Sequence, residues 1–504
     1  MEFSGTTMMD ALADRTNATA ARRQQATARA LFTTSSFRAA EISRRCGDDC
    51  YSYYFVYRAF APLLARCGEV REISHAETEL EPAIGAALDD GLAAAHLSFL
   101  PLQHVPIANR VPNIAFPFWE YPDIPDYDVA GNPRNDWPRV AKKLDLILTA
   151  CEFTRGAFLR AGVGVPIHVV PVPISETYFG VPDWREEERV VLECPCFLLP
   201  QQLDGSERAK RTSTAARARA VYQRRIRPRL PGPVDRLVSR AGRELLGRGE
   251  PRPFDPYPIP YAPTDRLELS GTVYTSIFNP FDQRKNWQDL LGSFLSALGD
   301  RDDATLVLKL AVSKTMAREG LHNVLSYYQR LRLRHRAKLA VISAYLSDEQ
   351  MVELARASTF YLNTSRAEGA CLPVQDFLAA GRPAVAPAHT AMAEYIDERL
   401  AFVVPSQSEP TYWSWDPDRR PTTRWHRVER PALERRIRES YEMAHRDPSR
   451  YRDMARAARA RMRDFASSES VWPRLDQALR VVLPDGQGSS GQTRDRFSTA
   501  PEVK

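Results

Sequence analysis

YLNTSRAEGACLPVQDFLAAGRPAVAPAHTAMAEYI, residues 361–396, decides how this chain is read. An apolar strand ends at Asn363, and a polar loop carrying Glu368 follows it. A helix begins near Leu372 with Pro373 in its first turn, where the missing N–H of proline does no harm. It stops at Gly381, a residue suited to the left-handed end of a helix, and Asp376 lies in its first or second turn. A second strand, Pro383–Ala386, leads to another turn-to-helix step at His389–Glu394. Two helix N-termini therefore open at the carboxyl ends of adjacent strands, where open α/β sheets bind ligands and free backbone N–H groups favour phosphate. Glu368 and Asp376 beside them can accept hydrogen bonds from the vicinal hydroxyls of a sugar or ribose; read alone, they serve equally well as complements to helix dipoles.

Outward from this stretch, short apolar runs alternate with longer amphipathic ones, the pattern of parallel α/β units. Strands are expected at Leu31–Thr34, Ala94–Phe99, Asn113–Phe118, Leu144–Ala150 and His168–Val172 in the first half. The second half repeats the theme at Thr272–Phe278, Thr305–Leu310, Leu339–Ser343, Thr359–Asn363, Ala384–Ala386 and Ala401–Val404. Most are nearly continuous in apolar residues, as strands covered on both faces should be. One helix runs from about Tyr51 to Cys67 before Gly68. After Asn286, the expected N-cap, Trp287, Leu290, Leu291, Phe294, Leu295 and Leu298 recur at helical spacing. Another helix starts at Ser347, with Asp348 and Glu349 in its first turn.

At 504 residues the chain suits two domains rather than one core. It is 43% hydrophobic and 26% charged, ordinary for a folded cytosolic protein. It has no apolar run of about 18 residues to span a membrane, and MEFSGTTMMDALADRT has neither the basic start nor the apolar core of a secretory signal. The seven cysteines are scattered without paired metal-site spacing and read as reduced thiols. The net charge of +6 is uneven: residues 201–250 hold 13 Lys/Arg against 5 Asp/Glu, a local +8 that leaves about −2 for the rest.

The 361–396 stretch resembles the donor-site signature of retaining GT-B glycosyltransferases, the group 1 or family 4 type. Its parts here are Glu368, Gly369, Pro373, the second acid Asp376, Gly381 and Pro383. The resemblance covers about 270–405 well and 90–180 loosely. It implies that Glu368 lies by the donor sugar, that Asp376 binds the nucleotide ribose, and that Glu394 is the further acid near phosphate or sugar. Gly369, Ala370, Cys371, Leu372, Thr390 and Ala391 would line the donor site. The second acid is Asp where Glu is usual, Cys371 replaces a loop glycine, and His389-Thr390-Ala391-Met392 stands where Gly-Gly is usual. These departures leave the donor's identity open.

A metal-independent transfer has to neutralise a leaving diphosphate with protein groups. Arg284 and Lys285, just before the helix at Asn286, are the candidate catalytic cations. Tyr345 stands where such enzymes hold the base, or simply packs. On the acceptor side, NIAFPFWEYPDIP ends a strand and offers Trp119, Glu120 and Asp123, aromatics beside carboxylates that suit sugars. His104 is the nearest histidine for a catalytic part, although a lone histidine is more often structural, and Ser36 follows the first strand.

The expected architecture is α/β of the GT-B type, two Rossmann-like domains facing a cleft, with a basic insertion and a C-terminal helical region at Pro431–Leu483. Residues 1–28 and 484–504 read as disordered tails. Residues 29–197 form the acceptor domain, 198–266 a basic insertion or linker between the domains, 267–465 the nucleotide-sugar donor domain, and 466–483 a terminal helix packing back on the first domain. The implied activity moves a sugar from a nucleotide-diphosphate sugar to a glycan, glycolipid or other hydroxyl acceptor. Retention is expected, with no cofactor and no metal. The alternatives are a nucleotide-sugar epimerase on the same scaffold or a catalytically silent glycan- or partner-binding protein. Residues 201–250 either lie on an anionic membrane or form a solvated excursion. A cytoplasmic place, peripheral at the inner face of the membrane if the first holds, is the expectation, and nucleic acid is not an expected partner.

Overall fold

The computed structural model describes residues 29–199, 257, 259, 261–413 and 415–483. The expected tails and the basic segment 201–250 lie outside the described residues.

The apolar runs of the first half form a six-stranded parallel sheet. Its strands are β1 (Arg29–Ser35), β2 (Glu69–Glu72), β3 (Ala93–Phe99), β4 (Asn113–Ala115), β5 (Leu146–Thr149) and β6 (Ile167–Val169), in the order β2-β1-β3-β4-β5-β6. The central strands β1 and β3 are buried almost end to end, which is why they read as continuous apolar runs. Strand β2 is EVRE at an edge, partly exposed, and carries no apolar pattern to find. Around the sheet lie α1 (Ala39–Arg45), α2 (Tyr51–Leu64), α3 (Ala76–Asp89), α4 (Trp137–Ala141), α5 (Glu152–Arg160) and α6 (Glu176–Phe179). Helix α2 sets Tyr53, Val56, Phe60 and Leu63 against Leu31, Leu97, Phe99 and Phe116. Each fully buried large side chain there contributes about 2 kcal/mol.

The second sheet has eight strands: β7 (Val190–Leu199), β8 (Thr264–Leu269), β9 (Thr272–Phe278), β10 (Ala304–Leu310), β11 (Lys338–Ile342), β12 (Phe360–Leu362), β13 (Ala384–Ala386) and β14 (Ala401–Val403). Their order is β14-β13-β12-β9-β10-β11-β7-β8, and β7 alone runs antiparallel to both its neighbours. The boundary expected at 197/198 falls inside β7, whose end pairs Leu199 with Leu339 of β11. The expected insertion therefore leaves and rejoins the second sheet instead of linking two domains.

Helices α7 (Trp287–Leu298), α8 (Ala317–Leu331), α9 (Asp348–Ala357) and α10 (Leu372–Ala379) cover this sheet. A hairpin, β15 (Ser406–Thr411) and β16 (Thr423–Val428), precedes α11 (Arg430–Arg446), α12 (Pro448–Ala466) and α13 (Ser468–Leu479). Ser347 caps α9 through a reciprocal box with Gln350, at 3.3 and 2.9 Å. Asn286 does not cap α7 with its side chain: it sits at φ +50°, and its Oδ1 accepts instead from Arg366 at 3.3 Å. Helix α13 crosses back, placing Val471, Leu475 and Leu479 in the core of the first domain with Leu31 and Phe60. Among the described residues no helix is long and apolar enough to cross a membrane.

Candidate active site

In the second sheet the chain runs β9-β10-β11 in one direction, then crosses to β12-β13-β14 on the other side of β9. The switch point lies between β9 and β12, and loops leaving neighbouring strands there diverge to open a crevice. The loop after β9 carries Asp282, Arg284 and Lys285; the loop after β12 carries Glu368. Topology alone thus brings two cations and a carboxylate, distant in sequence, to one edge.

Glu368 is 4% exposed. Lys285 Nζ donates to its Oε1 at 2.6 Å, and Arg284 Nη1 lies 3.1 Å from its Oε2. Burial by itself would raise this carboxyl, but Lys285 and Arg284 hold it down at about 2. The Arg284 fork is more heavily engaged still. It donates to the Ala367 carbonyl at 2.6 Å and to Asp282 Oδ2 at 2.8 Å, and its Nε is 3.2 Å from Glu120 Oε1. Asp282 also accepts from the Arg284 backbone N–H at 3.0 Å, the sequence-local Asx turn that could have revealed it. Glu120 comes from the first domain, so the ion cluster spans the cleft.

Three non-glycine residues in the left-handed region ring this cluster: Asn286 at φ +50°, Cys371 at +59° and Thr390 at +51°. Such backbones cost about 1–2 kcal/mol each and persist where the surroundings over-determine them, commonly at functional sites. Cys371 and Thr390 lie in the two segments where this chain departs from the glycines of the resembling signature, and both hold the left-handed backbone that glycine adopts most readily.

No protein-family model matches the sequence, and no curated protein does. Among solved structures, sucrose-phosphate synthase from Thermosynechococcus elongatus is similar with a TM-score of 0.51 at 12% identity, over 90% of this chain and 98% of that one. The chain has the GT-B fold. A glycosyltransferase from Rickettsia africae gives 0.49 at 9% identity, over 91% and 100% of the two chains. Anabaena HepE in complex with UDP and glucose gives 0.47 at 13%, over 90% and 99%.

Within the GT-B cleft the other expected donor residues divide by what they touch. Gly369 meets the first domain so closely that a Cβ there would lie 3.0 Å from the Trp119 carbonyl oxygen. Ala370 and Leu372 pack into the first domain's core. Cys371 is buried, its Sγ accepting from Asn363 Nδ2 at 3.2 Å. Thr390 Oγ1 accepts from the Glu368 N–H at 3.0 Å and the Ala391 N–H donates to the Glu368 carbonyl at 3.2 Å, so both position Glu368. The step at His389–Glu394 is a five-residue 3-10 turn and offers no α-helical N-terminus. Glu394 turns toward the other domain, its Oε1 accepting the Phe153 N–H of α5 at 2.9 Å. Asp376 is half-buried, and its carboxylate has no hydrogen bond or ion pair among the described residues. Burial pushes it up to about 7, with Arg58 opposing and Asp348 adding to the rise.

The acceptor-side expectations change most. Trp119 is 5% exposed, its ring packed on Trp137 and Trp413 and its Nε1 donating to the Asp123 carbonyl at 2.9 Å. It is a core residue and offers no stacking face, because its ring is enclosed among Trp137, Trp413 and Tyr121. Asp123 accepts from Thr423 of β16 at 3.3 Å. Ser36 donates to the Cys50 carbonyl at 2.8 Å and pins the loop between α1 and α2. That loop enters the cleft: the Gly47 carbonyl accepts from Asn279 at 3.0 Å, and Gly47, at φ +100°, packs so tightly on Ala311 that a Cβ would meet its oxygen at 2.5 Å. Tyr345 packs against Phe37, Ile42 and Tyr54 of the first domain. The His104 side chain is exposed and makes no hydrogen bond or ion pair among the described residues; its backbone N–H donates to the Pro101 carbonyl at 2.9 Å.

Proposed function

We propose that the protein transfers a sugar from a nucleotide-diphosphate sugar to a hydroxyl acceptor, with retention and with no metal or other cofactor. The observation that carries this reading is the convergence of Arg284 and Lys285 on the buried Glu368 at the switch point of a GT-B sheet. As the bond from sugar to diphosphate lengthens, Lys285 and Arg284 neutralise the departing charge, and the N-terminus of α10 adds its partial positive charge. Glu368, held ionised, orients the sugar and stabilises the positive charge that develops on its ring; it need not attack. The acceptor hydroxyl enters on the face the diphosphate leaves. Asp376, unengaged and near its midpoint at neutral pH, can both accept from and donate to ribose hydroxyls. A glycan or lipid-linked acceptor and contact of residues 201–250 with an anionic membrane complete the proposal.

Incubation with a panel of nucleotide sugars should release nucleoside diphosphate, and Glu368→Ala should abolish the release. No turnover with any donor and acceptor, or equal turnover in Glu368→Ala, sinks the reading. The burial of Gly369 and Ala370 between the domains favours a second reading, a catalytically silent GT-B binding protein. Nucleotide-sugar binding without product in the same assay would select it, and conversion to an isomeric nucleotide sugar would instead select an epimerase.

A further inference from the structure

Arg284 and Lys285 face three carboxylates, those of Glu120, Asp282 and Glu368, so the cluster carries a net charge of −1. A diphosphate brings at least two further negative charges to these cations. Repulsion in a site of low dielectric opposes that arrival unless a carboxylate leaves. The three are not held alike. Glu368 has both cations and is anchored through its own backbone by Thr390 and Ala391. Asp282 is bound into the turn it caps. Glu120 has Arg284 as its only ion-pair or hydrogen-bond partner among the described residues, at 3.2 Å, and its side chain is 25% exposed. It is also the one carboxylate supplied by the opposite domain, on the residue following Trp119, whose backbone is pressed against Gly369.

We propose that Glu120 is an acidic gate: it occupies Arg284 as a stand-in for diphosphate, and an incoming diphosphate displaces it. This rests on reading Arg284 and Lys285 as the diphosphate cations. Exchange of a carboxylate for a polyanion on the same guanidinium holds the loaded cluster at about −2 instead of about −3, because Arg284, Lys285, Asp282 and Glu368 sum to zero without Glu120. It also couples donor entry to the contact between the domains, since the residue that leaves belongs to the loop sealing Gly369. A ligand shifts such an equilibrium only by its differential affinity for the two states, and charge is the difference here.

The test measures binding of inorganic pyrophosphate, UDP and uridine to the full-length protein and to Glu120→Gln. Pyrophosphate and UDP should bind about tenfold or more tightly to Glu120→Gln, the scale of one lost charge at such a pair, with uridine unchanged. In the wild type, pyrophosphate should also raise hydrogen exchange across residues 118–123, a readout that does not depend on the variant folding well. Unchanged or weaker pyrophosphate binding in Glu120→Gln overturns the gate. So does a parallel gain for uridine, which would show altered access rather than charge, or an exchange pattern unmoved by pyrophosphate. A pyrophosphate gain with no binding of UDP or any other nucleoside diphosphate sustains the gate while removing the nucleotide-sugar reading.

Discussion

Glu368 and Asp376 are the two acids of one signature, one in the loop before α10 and the other within that helix, yet they live in opposite electrostatic worlds. Glu368 is buried with two cations and is held at about 2; Asp376 is half-buried with none in contact and is lifted to about 7. The first is a fixed charge around which a loop is built. The second keeps its lone pairs and its proton available. Desolvation acts on both, and what separates them is whether a neighbouring loop delivers a cation.

The largest test of that contrast is removal of the fixed charge. Glu368→Ala leaves Arg284 and Lys285 without their central partner and should cost about 3–5 kcal/mol of stability. It should also lower turnover about 100-fold or more. Chemical denaturation and nucleoside diphosphate release check the two effects separately. Retained stability would mean that Glu120 and Asp282 suffice to hold the cations.

A second test uses pH, where the two acids should give slopes of opposite sign. The Glu368 carboxyl titrates at about 2 folded and about 4.3 unfolded. Its stabilisation is therefore present above about 4.3 and lost as pH falls toward 2. Asp376 titrates at about 7 folded and about 3.9 unfolded. Its contribution is full below about 3.9 and lost as pH rises through 7. Denaturation midpoints against pH should flatten on the acid side in Glu368→Gln and between about pH 4 and 7 in Asp376→Asn.

Smaller effects follow from two further expected site residues, one acid of the signature and one histidine outside it. Glu394→Ala removes an acceptor from the N-terminus of α5 and should cost about 1 kcal/mol, the scale of a helix cap, seen as a lower melting temperature. A loss of turnover without a loss of stability would return Glu394 to the donor. His104→Ala should change stability by no more than about 0.5 kcal/mol and leave turnover near wild type; a clear fall in turnover would put a histidine back into the chemistry.

Much of the fold was legible because burial on both faces of a parallel strand leaves a local apolar run: β9 and β13 appear at the expected residues, and β3 and β10 within one. The strands that escaped are β2, β7, β8, β15 and β16; of these, β2 is an exposed edge segment and β7 an alternating antiparallel strand beside the basic insertion. At the site, Glu368, Arg284 and Lys285 were legible through spacing and resemblance, and their mutual contact follows from the sheet order. Trp119 was misread because an aromatic in a Pro-bounded loop looks the same whether its ring faces a cleft or Trp137 and Trp413. The left-handed backbones of Cys371 and Thr390 were invisible, since neither side chain signals positive φ.

The sequence by itself determined that the chain is two α/β halves, and it pointed to the loops that hold the cations and the central carboxylate, because periodicity and turn chemistry are local properties. Only the tertiary structure decided that Glu120 closes on Arg284, that Glu394 caps a helix of the other domain, and that the loop around Gly369 is sealed by Trp119. Those outcomes depend on how two separately folded surfaces meet. Long-range electrostatics and close approach at glycines settle that meeting, and neither leaves a pattern in neighbouring residues.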